Sequence, residues 1–227
     1  MVDLQLIGDI FGWVGTALAI YFFLSPAVPY YKLIKGKIKY SDAPGVLLIF
    51  SFMCCILWLI YGLLLNKLQI YLTNGVGAGI TLVFITIFLS YFTKDKIYLT
   101  AIFLFLLVII IGAISYFCYF LIYYKYVGYA ANVFNVCMYA ATGEKIFRVF
   151  KTKDYNLMPI FSIIGGFLCS GCWLIYGIFD FEINVVIPNG LGVLFSIIQL
   201  IVYFYFYCLM KKEKKKLRTE SDDDRLI

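Results

Sequence analysis

The sequence predicts an all-α membrane protein in which seven transmembrane helices form two parallel three-helix bundles joined by a linker helix, a 3+1+3 arrangement. Three observations carry this expectation. The chain is 63% hydrophobic and 14% charged, with a mean hydropathy of +0.93, whereas soluble domains are about half apolar and about a quarter charged. Seven apolar runs are each long enough, at roughly 20 residues, to cross a bilayer. Finally, the stretch WLIYG occurs twice, at 58–62 and 173–177, each copy inside one of those runs.

The first run, 6–31, is too long for a cleaved signal peptide and lacks its basic start, so it is read as a retained span. Runs at 44–65 and 70–92 follow, then 97–121, 127–147, 157–179 and 185–210. All are continuously apolar rather than alternating, which argues for helices against a closed β-barrel. The tail KKEKKKLRTESDDDRLI is too charged to bury anything and is expected to be a disordered cytosolic segment. The expected organisation is thus a first three-helix repeat at 6–92, a linker helix with flanking loops at 93–126, a second repeat at 127–210 and the tail at 211–227.

Basic residues set the orientation. Lys32, Lys35, Lys37 and Lys39, then Lys94 and Lys96, then Lys145, Arg148, Lys151 and Lys153, and seven more in the tail place 17 of the 19 Lys and Arg on one side. Only Lys67 and Lys125 lie opposite. The positive-inside rule puts the basic side in the cytosol and the N-terminus outside or in a lumen. The net charge of +6 is then explained by topology and by contact with membrane lipid, without a nucleic acid.

An offset of 115 residues aligns 44–77 with 159–192 without gaps, and about a third of the positions are identical, including Pro44 with Pro159, Cys54 with Cys169, and NG-x-G with NG-x-G. Trp, Asn and paired glycines in register are not what chance gives in apolar helices. The corresponding loops carry the same charge, so both copies run in the same direction. Three spans end on the side opposite their start, and a parallel second copy needs one extra crossing, which accounts for the linker. Gly75, Gly77, Gly79, Gly190 and Gly192 are expected to permit close helix packing.

A neutral polyhydroxylated solute needs amides that both donate and accept hydrogen bonds, and flat apolar faces for the C–H side of its ring. Asn74 with Asn189 and Trp58 with Trp173 supply such a set as two symmetric pairs. An Asn is costly against lipid and should face the bundle interior. No His occurs in the chain and no Asp, Glu, Lys or Arg lies near the middle of a span, so no proton relay or sodium site is expected. The seven cysteines lie in or at the ends of spans and suggest no disulfide framework. Cys169-x-x-Cys172, without histidine and inside an apolar run, is read as small residues at a helix contact rather than a metal site. No nucleophile set, metal cluster or phosphate loop points to an enzyme, and no cofactor is expected.

SPAVPYYKLIKGK, Pro44, WLIYG and TNGVG, followed by FKTKDYNLMP, WLIYG and VIPNGLG, resemble the two repeats of the SWEET sugar transporters. The resemblance covers spans 1–3 and 5–7. It implies substrate binding by Asn74, Asn189, Trp58 and Trp173, with Trp in both copies narrowing the site toward a monosaccharide such as glucose. It places Pro26, Pro44 and Pro159 at three of four cytosolic-side hinge positions, the fourth being Thr142 here. It implies a gate at the other end around Tyr61, Gly62, Tyr176 and Gly177, with Glu182 where the family usually has Asp. It also suggests homo-oligomers.

The expected function is bidirectional, uncoupled transport of sugars by alternating access. A proton-coupled PQ-loop exporter of amino acids or other small solutes shares the architecture, but Thr73-Asn74 and Pro188-Asn189 stand where its Pro-Gln dipeptides would be. A seven-span receptor would not need the duplication. Asp222 with Leu226 and Ile227 fits an acidic dileucine pattern for endosomal or vacuolar membranes; otherwise the plasma membrane is expected.

Overall fold

The computed structural model describes residues 4–39, 45–92 and 124–223, with isolated helical positions between 98 and 116. Every regular element among them is helical, since backbone groups in a bilayer must be satisfied within their own segment. Helix α1 spans Leu4–Leu24 and α2 Ala27–Ile34, two pieces of one apolar stretch. Pro26 separates them: it has no N–H, and the chain closes a turn by Ser25 N donating to Phe22 O at 3.0 Å before Tyr30 N picks up Pro26 O. Gly36, at φ 64°, ends α2 in the left-handed conformation, with Lys37 N bonded back to Lys32 O.

Helices α3 (Gly45–Leu64) and α4 (Leu68–Phe92) are joined by a tight turn, as are α6 (Ile160–Phe179) and α7 (Ile183–Asp223). The two turns are built alike. Asn66 and Phe181, 115 residues apart, both take positive φ, and the next amide returns to a glycine carbonyl, Lys67 to Gly62 at 2.8 Å and Glu182 to Gly177 at 2.9 Å. Helix α5 covers Tyr124–Thr152 and leads through Lys153 and a single 3-10 turn, Tyr155–Leu157, capped by Asp154, into α6.

The six long helices close a ring. Helix α4 packs between α1 and α3, α7 packs between α5 and α6, and the two sets meet along α1 with α6 and α3 with α5. Three cores result. One, with Cys54, Trp58, Tyr61, Ile70, Val127, Ala131, Tyr176 and Val185, draws on both sets. At the basic end each set has its own: Tyr30, Leu33, Leu48, Phe52 and Ile85 in the first, Val149, Met158, Ile163, Val202 and Phe206 in the second.

Among the described residues five helical stretches are long and apolar enough to cross a membrane. The expected span at 97–121, with Cys118, and most of the linker at 93–126 lie outside the described residues. The span expected at 127–147 is a helix but falls short in apolarity, because Asn132 and Asn135 interrupt it; both are turned inward, Asn132 donating to Asn184 Oδ1 at 3.3 Å and Asn135 lining a cavity. Helix α7 does not stop at 210 but runs to Asp223, through most of the segment expected to be a disordered tail. Lys, Glu, Leu and Arg are good helix formers, and extending a helix already nucleated costs little.

Candidate functional site: a cavity between the two repeats

The repeated WLIYG works the same way in each copy. Trp and Tyr stand three residues apart on one helix face and pack edge to face, Trp58 on Tyr61 at 5.4 Å and 90°, Trp173 on Tyr176 at 5.3 Å and 81°. Glycines on the facing helices allow the close approach. A Cβ on Gly12 would lie 2.7 Å from the Tyr176 ring, and one on Gly128 2.8 Å from the Tyr61 ring and from Asn184. Gly62 and Gly177 do the same against the helix that follows each turn, where Ile70 and Val185 crowd them.

Below the two tyrosines, toward the basic end, lies a cavity of about 180 Å³. Trp58, Asn74, Trp173 and Asn189, the four residues singled out from sequence, all line it. Each asparagine is held identically: Asn74 Nδ2 donates to Ile70 O and Asn189 Nδ2 to Val185 O, both at 2.8 Å. One amide hydrogen thus fixes the side chain to its own helix, leaving the other N–H and the oxygen for a solute. Cys54 and Cys169 are a further matched pair. Cys54 Sγ points to Ala131 O at 3.9 Å and, more closely, to Asn135 Oδ1 at 3.3 Å; Cys169 Sγ points to Gly15 O at 3.8 Å.

Sequence reasoning missed Asn135 and Ala19, which face the same cavity from α5 and α1. They correspond at an offset of 116, one more than the offset of the other helices. The signal was present in Pro26 and Thr142, which also stand 116 apart. Thr73, another lining residue, breaks the symmetry: its hydroxyl shares a 2.7 Å hydrogen bond with Thr16 and donates to Gln69 O, whereas its counterpart is Pro188. There the Tyr139 hydroxyl donates to Pro188 O at 2.7 Å.

The tyrosine end is tied across the two halves. Tyr61 donates to Glu182 Oε2 at 2.6 Å and accepts from Asn184 Nδ2 at 3.0 Å, and Lys67 pairs with Asp180. Of the hinge residues expected from sequence, Pro26 and Pro159 are not among the residues that line the cavity, and the two are not alike. Pro26 interrupts a helix, but Pro159 precedes α6 in extended backbone, φ −62° and ψ 115°, so it starts a helix instead of kinking one. Pro188 lies inside α7, and Pro29 lies in the first turn of α2. The backbone of Thr142 lies within unbroken α5, and Pro44 lies outside the described residues. Of the glycines read as contacts, Gly77 meets Phe23 and Gly192 meets Tyr139 and Ser170, but Gly79 faces open space.

The family profile described as "Sugar efflux transporter for intercellular exchange" matches this chain twice, at 9–96 and 125–214. The chain belongs to the SWEET family. Its two matched segments begin 116 residues apart, the offset that pairs Ala19 with Asn135. Among similar SWEET proteins, Bidirectional sugar transporter SWEET1 of Arabidopsis thaliana is 35% identical over 202 residues, covering 86% of this chain and 81% of that protein. Bidirectional sugar transporter SWEET7 of the same organism is 32% identical over 216 residues, 88% of this chain and 81% of that one. A solved structure of a eukaryotic SWEET transporter superimposes with a TM-score of 0.80 at 26% identity, over 90% of this chain and 99% of that one. SWEET proteins are transporters, which are not an enzyme class.

Proposed function

We propose that this SWEET protein carries monosaccharides across a membrane in both directions, without ion coupling, by exposing the cavity alternately to each side. One observation carries the reading: two asparagines and two tryptophans, supplied in matched pairs by two repeats, converge on one small cavity. Its volume of about 180 Å³ is below the roughly 300–1,000 Å³ that drug-sized ligands occupy, and favours one sugar ring over two. Among the described residues, the side chains lining it include amides, hydroxyls, thiols and indoles and no carboxylate or ammonium, in keeping with a neutral solute and an uncoupled cycle.

The shared core and the Tyr61–Glu182 and Lys67–Asp180 links close the tyrosine end, while the separate cores leave the two halves able to part at the basic end. With the basic end in the cytosol by its charge, this is an inward-facing arrangement. Rocking of one three-helix set, 6–92, against the other, 127–210, about the cavity would interconvert the two states, the linker at 93–126 restoring parallel direction. The N-terminus is then outside or luminal, the plasma membrane the site of action, and homo-oligomers the assembled form.

The test is uptake of radiolabelled glucose into liposomes containing the purified protein, at several pH values, for wild type, Asn74→Ala and Asn189→Ala. Saturable, pH-independent uptake that either substitution abolishes is expected. Uptake only under a proton gradient, or sucrose flux without glucose flux, would overturn the reading.

A further inference from the structure

Helix α7 has 41 residues and is about 62 Å long at 1.5 Å per residue, twice the roughly 30 Å of a bilayer's hydrocarbon core. Its apolar part ends in an aromatic belt. Tyr203 and Tyr207 stack at 6.3 Å and 8°, and Tyr155, from the 3-10 turn after α5, packs edge-on against both at 5.3 and 5.4 Å. Such belts sit at headgroup height. The cluster brings the end of α5, where Lys151 and Lys153 are exposed, level with the start of the charged part of α7, where Lys211 and Lys212 are exposed. None of these four lysines forms an ion pair among the described residues. In sequence the run continues through Lys214, Lys215, Lys216 and Arg218, so six of the eight residues 211–218 are basic, on a backbone that stays helical.

We propose that this end of the second repeat binds a multiply charged phospholipid headgroup, with the α5 terminus and the α7 extension contributing its cations. Four to eight Lys or Arg immediately beyond a transmembrane helix is the pattern that anionic lipid selects. Two basic segments held together by packed aromatics make a concentrated positive surface, which suits a polyphosphorylated headgroup better than a singly charged one. The proposal rests on the cytosolic placement of this end and is independent of the solute carried.

The experiment is binding of a fluorescent short-chain phosphatidylinositol bisphosphate to the full chain in neutral detergent, followed by anisotropy. Lys211, Lys212, Lys214, Lys215 and Lys216 are changed to Gln together, and Lys151→Gln with Lys153→Gln separately. Each basic residue beside an anionic surface contributes up to about a fivefold factor, and screening by salt and neighbouring charges keeps these factors from multiplying in full, so the five-lysine variant should lose at least about tenfold in affinity. The two-lysine variant should lose less, and binding should weaken with salt. Lys35→Gln with Lys37→Gln, at the first repeat's basic end, should leave affinity within about twofold. Unchanged affinity in the five-lysine variant, an equal loss from the Lys35 and Lys37 changes, equal binding of phosphatidylcholine, or tighter binding of soluble inositol trisphosphate than of the lipid would each overturn it. Glucose uptake into phosphatidylcholine liposomes is a separate readout, so failure of the transport reading would be recognised independently.

Discussion

The Tyr61 hydroxyl, fully buried, donates to the Glu182 carboxylate at 2.6 Å and so ties the first repeat's α3 to the turn between α6 and α7 of the second. It is one of the contacts that link the two repeats at the tyrosine end of the cavity. A hydrogen bond to a charged group is worth about 1.5–3 kcal/mol net. Tyr61→Phe keeps the ring that packs on Trp58 and removes the hydroxyl, and with it both the donation to Glu182 and the acceptance from Asn184. The closed population should fall by roughly ten- to hundredfold relative to the open one. Distances between spin labels on non-cysteine side chains at Leu68 and Ile183, both exposed at that end, should lengthen; an unchanged distribution would show that the bond does not hold the gate.

The Lys67–Asp180 pair is the second tie, and it is asymmetric in exposure, 32% for Lys67 against 14% for Asp180. Surface ion pairs contribute little, but removing one partner of a largely buried pair leaves the other charge without compensation. Lys67→Met alone should therefore destabilise more than Lys67→Met combined with Asp180→Asn. Thermal melting of the three proteins in detergent checks the order, and a double variant that melts below the single one would contradict it.

Much of this arrangement was legible in the sequence because hydrophobic runs and an ungapped repeat do not depend on distant contacts. Trp58, Trp173, Asn74 and Asn189 could be placed around one cavity because the duplication makes them symmetric whatever the packing. Glu182 at this end came from the family resemblance and not from the duplication, since its counterpart in the first repeat is Lys67. Asn135 was not read as a wall residue, since α1 and α5 correspond at 116 rather than 115 and the extra residue falls outside the ungapped segment. The start of α6 after Pro159 and the extension of α7 to Asp223 depend on local backbone choices that apolar length does not report.

Gly128 faces Tyr61 and Asn184 so closely that a methyl group there would sit 2.8 Å from both side chains. Neither can withdraw easily, since both belong to the Tyr61 hydrogen-bond network. Overpacking of this kind costs about 1–3 kcal/mol. Gly128→Ala should lower the melting temperature and slow uptake together. Gly79→Ala, where nothing lies within 4 Å, should be neutral or slightly stabilising through helix propensity. Equal melting curves for the two variants would refute the packing argument.

The two tryptophans set the width of the cavity. Replacing Trp173, the less buried of the pair, with Ala enlarges it while leaving Trp58 in place on Tyr61. Truncating a packed Trp costs about 3–5 kcal/mol, so glucose flux should fall severalfold through loss of positioning. Sucrose, which the proposed monosaccharide cavity would exclude, should gain measurable flux. Competition between labelled glucose and unlabelled disaccharide in liposomes reads both effects, and a variant that still excludes sucrose would mean that some other constriction decides size.

The break at Pro26 and the continuity of α5 through Thr142 make the last prediction. The two positions correspond in the repeats, yet only one carries a residue that cannot continue a helix. If bending of the first span drives opening at the basic end, the two repeats do not contribute equally. Pro26→Ala restores an N–H, allows α1 and α2 to fuse, and should slow uptake strongly while leaving the protein folded. Thr142→Ala removes a hydroxyl from a helix that is already unbroken, and should change uptake by no more than about twofold, since a threonine bends a helix only weakly. Thr142→Pro, by contrast, introduces a break at a cost of about 3 kcal/mol. It should speed uptake if the missing hinge limits the cycle, and lower it through lost stability if the first repeat alone performs the motion. Initial rates for the three variants, measured beside their melting temperatures, separate these cases: equal slowing by Pro26→Ala and Thr142→Ala would show that the hinge action is symmetric after all.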